Sequence, residues 1–167
     1  MPPASPPEAP ASRPQRLSWV AVGLALAGLA ISSYLTIAHY TTHVSLACSD
    51  TGTIDCQKVT TSAQSMIGGV PVADLGVVFF AVAAVLVWPG AWRSRRPGVV
   101  WLRIAWVTAG VGMVLRLLYA ELFQIDAICL WCSAVHVLTV CLFATVLVGE
   151  ALAAEDARGQ PAAGRMI

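Results

Sequence analysis

Hydrophobic residues along this chain gather into four long runs, at 17–40, 72–88, 99–119 and 128–148, separated by short segments that hold most of the charge. A helix that crosses a bilayer needs about 20 predominantly apolar residues, with a range of roughly 17–25, and each run reaches that range. The second is short and is expected to cross with little tilt. The first is too long for the apolar core of a signal peptide and lacks a convincing small-residue cleavage site. A briefer pattern at 58–67, KVTTSAQSMI, sets Val59, Ala63, Met66 and Ile67 on one helical stripe. It is too short and polar to cross, so it predicts a helix lying in the membrane interface. Gly68-Gly69-Val70-Pro71 then breaks that helix and turns the chain into the second run. The pattern as a whole predicts an all-α membrane protein, a four-transmembrane-helix bundle with a short interfacial helix in the first external loop. That loop is expected to fold over the bundle as a lid, with Cys56 at its leading edge.

Composition strengthens the membrane reading. The chain is 57% hydrophobic and 11% charged, whereas a soluble domain has about a quarter of its residues charged. A net charge of +1, without a basic patch interleaved with aromatics, gives no reason to expect nucleic acid as a partner. Arg13 and Arg16 precede the first run, Arg93, Arg95 and Arg96 fill the link between the second and third, and Arg158 and Arg165 follow the fourth. The two opposite loops hold Lys58 as their one basic residue, with Asp50, Asp55, Asp74, Glu121 and Asp126. By the positive-inside rule both termini and the arginine link are cytoplasmic. Residues 1–16, with six prolines, read as a disordered cytoplasmic tail, 17–150 as the helical domain, and 151–167 as a flexible cytoplasmic tail.

This topology puts four of the five cysteines on the extracytoplasmic side, where disulfides persist. Cys129 and Cys132, in Cys129-Leu130-Trp131-Cys132, open the fourth run on neighbouring faces of its first turn. The unsatisfied N–H groups and partial positive charge of a helix N-terminus favour a thiolate there, the device by which redox-active C-x-x-C pairs are activated. A structural disulfide or half a metal site are the plainer readings of the same pair. Cys48 and Cys56 enclose a turn-rich loop, CSDTGTIDC, which taken alone fits a structural clip. Beside a second pair on the same face it fits a relay, because neighbouring dithiols exchange through a mixed disulfide. Cys141, nine residues beyond Cys132, falls on the opposite helix face roughly 13 Å deeper and reads as a small buried apolar side chain. His39 and His43 with Cys48 and Cys56 make a Cys2His2 set on paper, but the spacing matches no zinc signature, and no metal is expected.

His136 lies one turn beyond Cys132 on the same face. A histidine buried in a membrane span is expensive and tends to be functional, although a bond to a neighbouring helix is the simpler role. Ser62, beside the stripe of the 58–67 segment, can point at whatever that segment covers. A dithiol at the mouth of a bundle touches an aqueous loop on one side and lipid on the other. Electrons taken from thiols outside need an acceptor, and one dissolved in the bilayer fits. Quinone drives bacterial periplasmic oxidation in this way, and its apolar body with two carbonyl acceptors suits a pocket between helices carrying one or two polar groups.

The order Cys48…Cys56-x5-Ser62, then Gly69-Val70-Pro71 entering the second run, then Cys129-x-x-Cys132 opening the fourth, resembles the vitamin K epoxide reductase family. It is similar in particular to the bacterial homologues that oxidise periplasmic disulfide catalysts, over roughly residues 17–150. The resemblance implies a four-helix bundle around a quinone of the menaquinone or ubiquinone type. It implies that Cys132 faces the quinone, that Cys129 exchanges with Cys56, and that Cys48 is the thiol partners attack. Ser62 matches the family's Ser/Thr near the pocket. Vertebrate members carry a tyrosine at the position of His136, so quinone reduction is expected here rather than epoxide reduction. Many bacterial members carry a fused thioredoxin-like domain after a fifth span. This chain stops soon after the fourth run, so its partner is expected to be a separate extracytoplasmic thioredoxin-fold disulfide oxidoreductase. The expected activity is that of a thiol:quinone oxidoreductase. Its rivals are epoxide reduction proper, a non-enzymatic membrane scaffold with structural disulfides, and a metal- or haem-handling membrane protein.

Overall fold

A computed structural model describes residues 13–41, 46–48, 52–94 and 96–159. Most of the expected N-terminal tail, His43, Asp50, Arg95, Arg165 and the last residues of the expected C-terminal tail lie outside the described residues. The chain is mostly helical. Helix α1 (Arg13–Tyr40) leads to the short α2 (Cys56–Thr60), a 3-10 turn (Ala63–Ser65) and a hairpin of β1 (Met66–Ile67) and β2 (Val70–Pro71). Then come α3 (Val72–Leu86), the short α4 (Pro89–Arg93), α5 (Pro97–Ala120) with a π-helical turn (Glu121–Ile125), and α6 (Leu130–Gly159).

Three helical stretches are long and apolar enough to cross a membrane: Gln15–Tyr40, Pro97–Ile125 and Leu130–Asp156. The second apolar run behaves differently from its neighbours. Its helix α3 stops at Leu86, and Pro89 occupies the first turn of α4, where its missing N–H and fixed φ suit a helix start but not a continuation. Helix α1 begins four residues before the apolar run, and α6 runs on through Ala- and Glu-rich sequence with strong helix propensity.

Helix α1 packs against α3 and α6, and α5 packs against α6. Ala21, Ala25, Phe80, Ala83, Val107, Leu142 and Val146 form the main core. Small residues let helices approach closely where lipid gives no hydrophobic drive for association. At Gly28 a Cβ would fall 2.3 Å from the Phe80 ring, and at Gly110 a Cβ would fall 2.4 Å from that of Phe79. Phe79 also stacks on Trp106, centroids 5.9 Å apart, and its carbonyl accepts from Trp106 Nε1 at 3.1 Å. Large apolar side chains such as Val85, Leu115 and Val137 point outward, an inside-out distribution suited to a hydrocarbon solvent.

The segment after Cys56 corrects one expectation. The stripe at 58–67 predicts a single interfacial helix, but α2 ends at Thr60 and the chain passes through the 3-10 turn into the hairpin. Side-chain hydroxyls explain the change. Thr60 donates to the Cys56 carbonyl at 2.8 Å, Thr61 to Gln57 at 2.8 Å, Ser62 to Val59 at 2.7 Å and Ser65 to Ser62 at 2.7 Å. Such local bonds offer the backbone alternatives to a helical ladder. Gly68 and Gly69, with φ of 59° and 84°, supply the left-handed pair that a tight two-residue hairpin loop requires.

Cys141 is a second correction, because it is exposed on the helix surface. Cys132 faces the bundle interior, so a position half a turn away around α6 faces outward.

At the end of the bundle far from the paired cysteines, Arg103 is only 1% exposed. Its Nε donates to the Leu86 carbonyl at 2.9 Å and its Nη2 to the Ala91 carbonyl at 2.9 Å, so it caps the ends of α3 and α4. Its Nη1 pairs with Glu150 of α6, and its guanidinium lies 4.7 Å from the Trp92 ring centroid. One side chain thus joins four helices. Breaking a buried pair from one side leaves an uncompensated charge and costs about 3–5 kcal/mol. Arg103→Ala is therefore expected to lower stability by about that much, as measured by thermal unfolding of the detergent-solubilised protein, with Glu150→Gln less severe.

Candidate functional site

Cys48 and Cys56 are joined in a disulfide, with Cα atoms 6.1 Å apart, while Cys129, Cys132 and Cys141 are unbonded. Cys56 opens α2, whose first turn is capped by the Asp55 carboxylate accepting from the Lys58 N–H at 2.8 Å. Cys129 stands before α6, in the capping place that Asp55 holds before α2. Its Sγ accepts from the Cys132 N–H at 3.3 Å and its carbonyl from the Ser133 N–H at 2.9 Å, the geometry of an N-cap with sulfur in place of oxygen.

Backbone pairing brings the two cysteine segments together. Ile54 and Ile128 form a parallel bridge, in which the Ile128 N–H donates to the Thr53 carbonyl at 2.9 Å and the Asp55 N–H donates to the Ile128 carbonyl at 3.2 Å. Cys129 follows Ile128 directly and Cys56 follows Ile54 after Asp55, each 0% exposed, in one buried cluster with Val59, Ala120, Ile125 and Ala127. Cys48 and Cys132 are partly buried and pack against it.

A second clamp holds the segment that carries Cys48. The Ala47 N–H donates to the Tyr34 hydroxyl at 3.3 Å and the Ala47 carbonyl accepts from Trp131 Nε1 at 3.2 Å. The Tyr34 and Trp131 rings meet at 5.1 Å. Trp131, within the C-x-x-C itself, is a residue that the sequence reading passed over. An indole between two cysteines at a helix mouth was the available signal.

Next to this cluster the helices enclose a largely apolar cavity of about 340 Å³. Cys132 lies on its wall, as do Ser62 and His136, whereas Cys129 does not. His136 is 6% exposed, and its Nδ1 has no hydrogen-bond partner among the described residues. A buried polar atom left open on a cavity wall suits a ligand with a hydrogen-bonding oxygen. Ser62 lines the cavity too, but its hydroxyl proton is committed to the Val59 carbonyl, leaving its lone pairs available toward the cavity.

Glu121 is the residue whose position the loop reading misjudged. It counts in the sequence as an external-loop charge, yet it is 4% exposed and lines the same cavity. It continues the inward face that Gly110, Val114 and Leu117 set at regular helical spacing on α5, just before the π-helical turn Glu121–Ile125. The Asp126 N–H donates to the Glu121 carbonyl, and Asp126 adopts left-handed φ and ψ of 51° and 44°.

The model of the vitamin K epoxide reductase family matches residues 19–147. The chain belongs to this family. Among curated proteins, none matches it. Family membership makes the protein an integral membrane oxidoreductase of disulfide and quinone-related chemistry. An apolar chamber with a free imidazole nitrogen, reached by one cysteine of a C-x-x-C pair, fits a quinone-type substrate on this chain's own residues.

Replacing Trp131 by Phe keeps the ring contact with Tyr34 and deletes the bond to Ala47. A hydrogen bond of this kind contributes about 1 kcal/mol net. The loop at Ala47 is therefore expected to open roughly five times more readily, read as faster hydrogen–deuterium exchange there while exchange in α3 stays unchanged.

Proposed function

We propose that the protein is a membrane thiol:quinone oxidoreductase supporting disulfide bond formation, with four spans, cytoplasmic termini and its paired cysteines on the extracytoplasmic face. The observation that carries the reading is the division between the two cysteines of the C-x-x-C pair. Cys129 shares a buried cluster with Cys56, and Cys132 lines the apolar cavity with His136.

The reaction balances as two thiol–disulfide exchanges and one oxidation. A separate thioredoxin-fold protein, reduced at its own dithiol, attacks Cys48 of the Cys48–Cys56 disulfide and leaves oxidised, delivering two electrons. Cys56 as thiolate attacks Cys129 of a Cys129–Cys132 disulfide, releasing the Cys132 thiolate. Cys48 then attacks Cys56, which restores the Cys48–Cys56 bond and frees Cys129. The resulting dithiol gives two electrons and two protons to quinone, forming quinol and closing the Cys129–Cys132 disulfide. A bonded Cys48–Cys56 pair beside an unbonded Cys129 and Cys132 matches the state that hands electrons to quinone. Net flow requires the quinone to be more oxidising than the partner, each 30 mV contributing about 1.4 kcal/mol for two electrons.

Cys132→Ala is expected to abolish reduction of a short-chain quinone by the purified protein while the Cys48–Cys56 bond still forms, as seen by thiol alkylation and gel shift. Full turnover in that variant would refute the assignment of Cys132. In cells, Cys56→Ala should trap a mixed disulfide on Cys48 with a single external protein carrying its own C-x-x-C. Resistance of both cysteine pairs to glutathione would favour the scaffold reading, since structural bridges lie below about −300 mV.

A further inference from the structure

Two protons must travel with the two electrons that the dithiol gives up, and a largely apolar chamber has few groups that can carry them. Glu121 is a carboxyl on the chamber wall with no hydrogen bond or ion pair among the described residues. Cys132 lines the same chamber, and Cys129 shares a buried cluster with Ala120, the residue before Glu121. Among the described residues, no Lys, Arg or Asp lines the chamber. The other titratable groups on its wall are Cys132 and His136 from α6 and His39 from α1, with Cys129 behind Cys132. A carboxyl on a largely apolar wall is costly, and here it stands in register with Gly110, Val114 and Leu117 on the face of α5 that lines the chamber, where a π turn begins.

We infer that Glu121 is the proton carrier of this site, taking a proton from the Cys129–Cys132 dithiol as its S–S bond forms and delivering it to an oxygen of the quinone. The inference rests on the thiol:quinone reading. In the step, Cys129–SH and Cys132–SH lose two protons and two electrons and gain one S–S bond, and the quinone gains both pairs as quinol. Glu121 ends the step in the protonation state in which it began. The second proton leaves Cys132 directly into the chamber, where that thiol already lies. Glu121 is suited to the first because it is near the sulfur behind the wall as well as the one on it.

The test uses the full chain in detergent, reduced with dithiothreitol, with a short-chain ubiquinone as acceptor and the rate followed across the neutral pH range. General acid–base groups contribute at least about 100-fold, so Glu121→Gln is expected to slow quinone reduction by that order. Its remaining rate should climb with pH, because hydroxide must then remove the thiol proton. Glu121→Asp should recover most of the rate and the original profile. Alkylation must show the Cys48–Cys56 bond formed in each variant, a readout that Glu121 as a proton carrier leaves untouched. A Glu121→Gln protein within a few-fold of the original rate, with the same pH profile, overturns the inference. So does a Glu121→Asp protein that forms the Cys48–Cys56 bond yet is no faster than Glu121→Gln. Failure of the unsubstituted protein to reduce quinone at all would instead overturn the thiol:quinone reading, and this inference with it.

Discussion

The parallel bridge between Ile54 and Ile128 is the contact on which the site depends. It contributes two backbone hydrogen bonds, yet it joins the loop after α1 to the approach to α6, segments far apart in the chain. Each partner is followed at once by a cysteine segment, so the register of the bridge decides which sulfurs become neighbours. Backbone donors and acceptors here are unaffected by side-chain identity, which leaves the cysteines free to change their bonding without loss of the frame around them. The Tyr34–Ala47–Trp131 clamp plays the same part for Cys48, and it is anchored on α1 and on the C-x-x-C itself.

The two ends of the bundle are built on opposite principles. Around the cysteines, contacts are small and divided among short elements: α2, the 3-10 turn, the hairpin and the π turn. At the far end Arg103 gathers α3, α4, α5 and α6 into one knot of charge and carbonyl dipoles. A rigid base with a segmented rim is a reasonable form for a protein whose chemistry needs loop sulfurs to change partners while the walls of an apolar chamber hold still.

Much of this was legible in the amino-acid pattern, for reasons that particular residues make clear. The four apolar runs overlie α1, α3, α5 and α6 because lipid-facing and core-facing positions alike demand hydrocarbon, so the signal accumulates over many residues. The C-x-x-C at the start of α6 was visible because helix period and chemistry coincide there. The segment 58–67 misled because hydrophobic spacing was weighed without the hydroxyls of Thr60, Thr61, Ser62 and Ser65, which spend their bonds on nearby carbonyls. Glu121 was assigned to a loop because the apolar run ends at Tyr119 and a charge just beyond it reads as solvent-facing, although the helical period of Gly110, Val114 and Leu117 carries on to it. Arg103 escaped notice because one charge in an apolar run says nothing of which carbonyls will receive it. Those acceptors, Leu86 and Ala91, belong to other helices.

Arg103 also has a meaning for biogenesis. A ribosome delivers α5 to the lipid before α6 exists, and an uncovered guanidinium inside the apolar run disfavours insertion, less so near the helix end, where Arg103 lies, than at its centre. The carboxylate that answers it, Glu150, arrives only with α6. Until then the third long helix must keep its arginine hydrated or lean on the carbonyl ends of α3 and α4. The order of synthesis therefore makes the last helix the one that commits the earlier ones to their final depth.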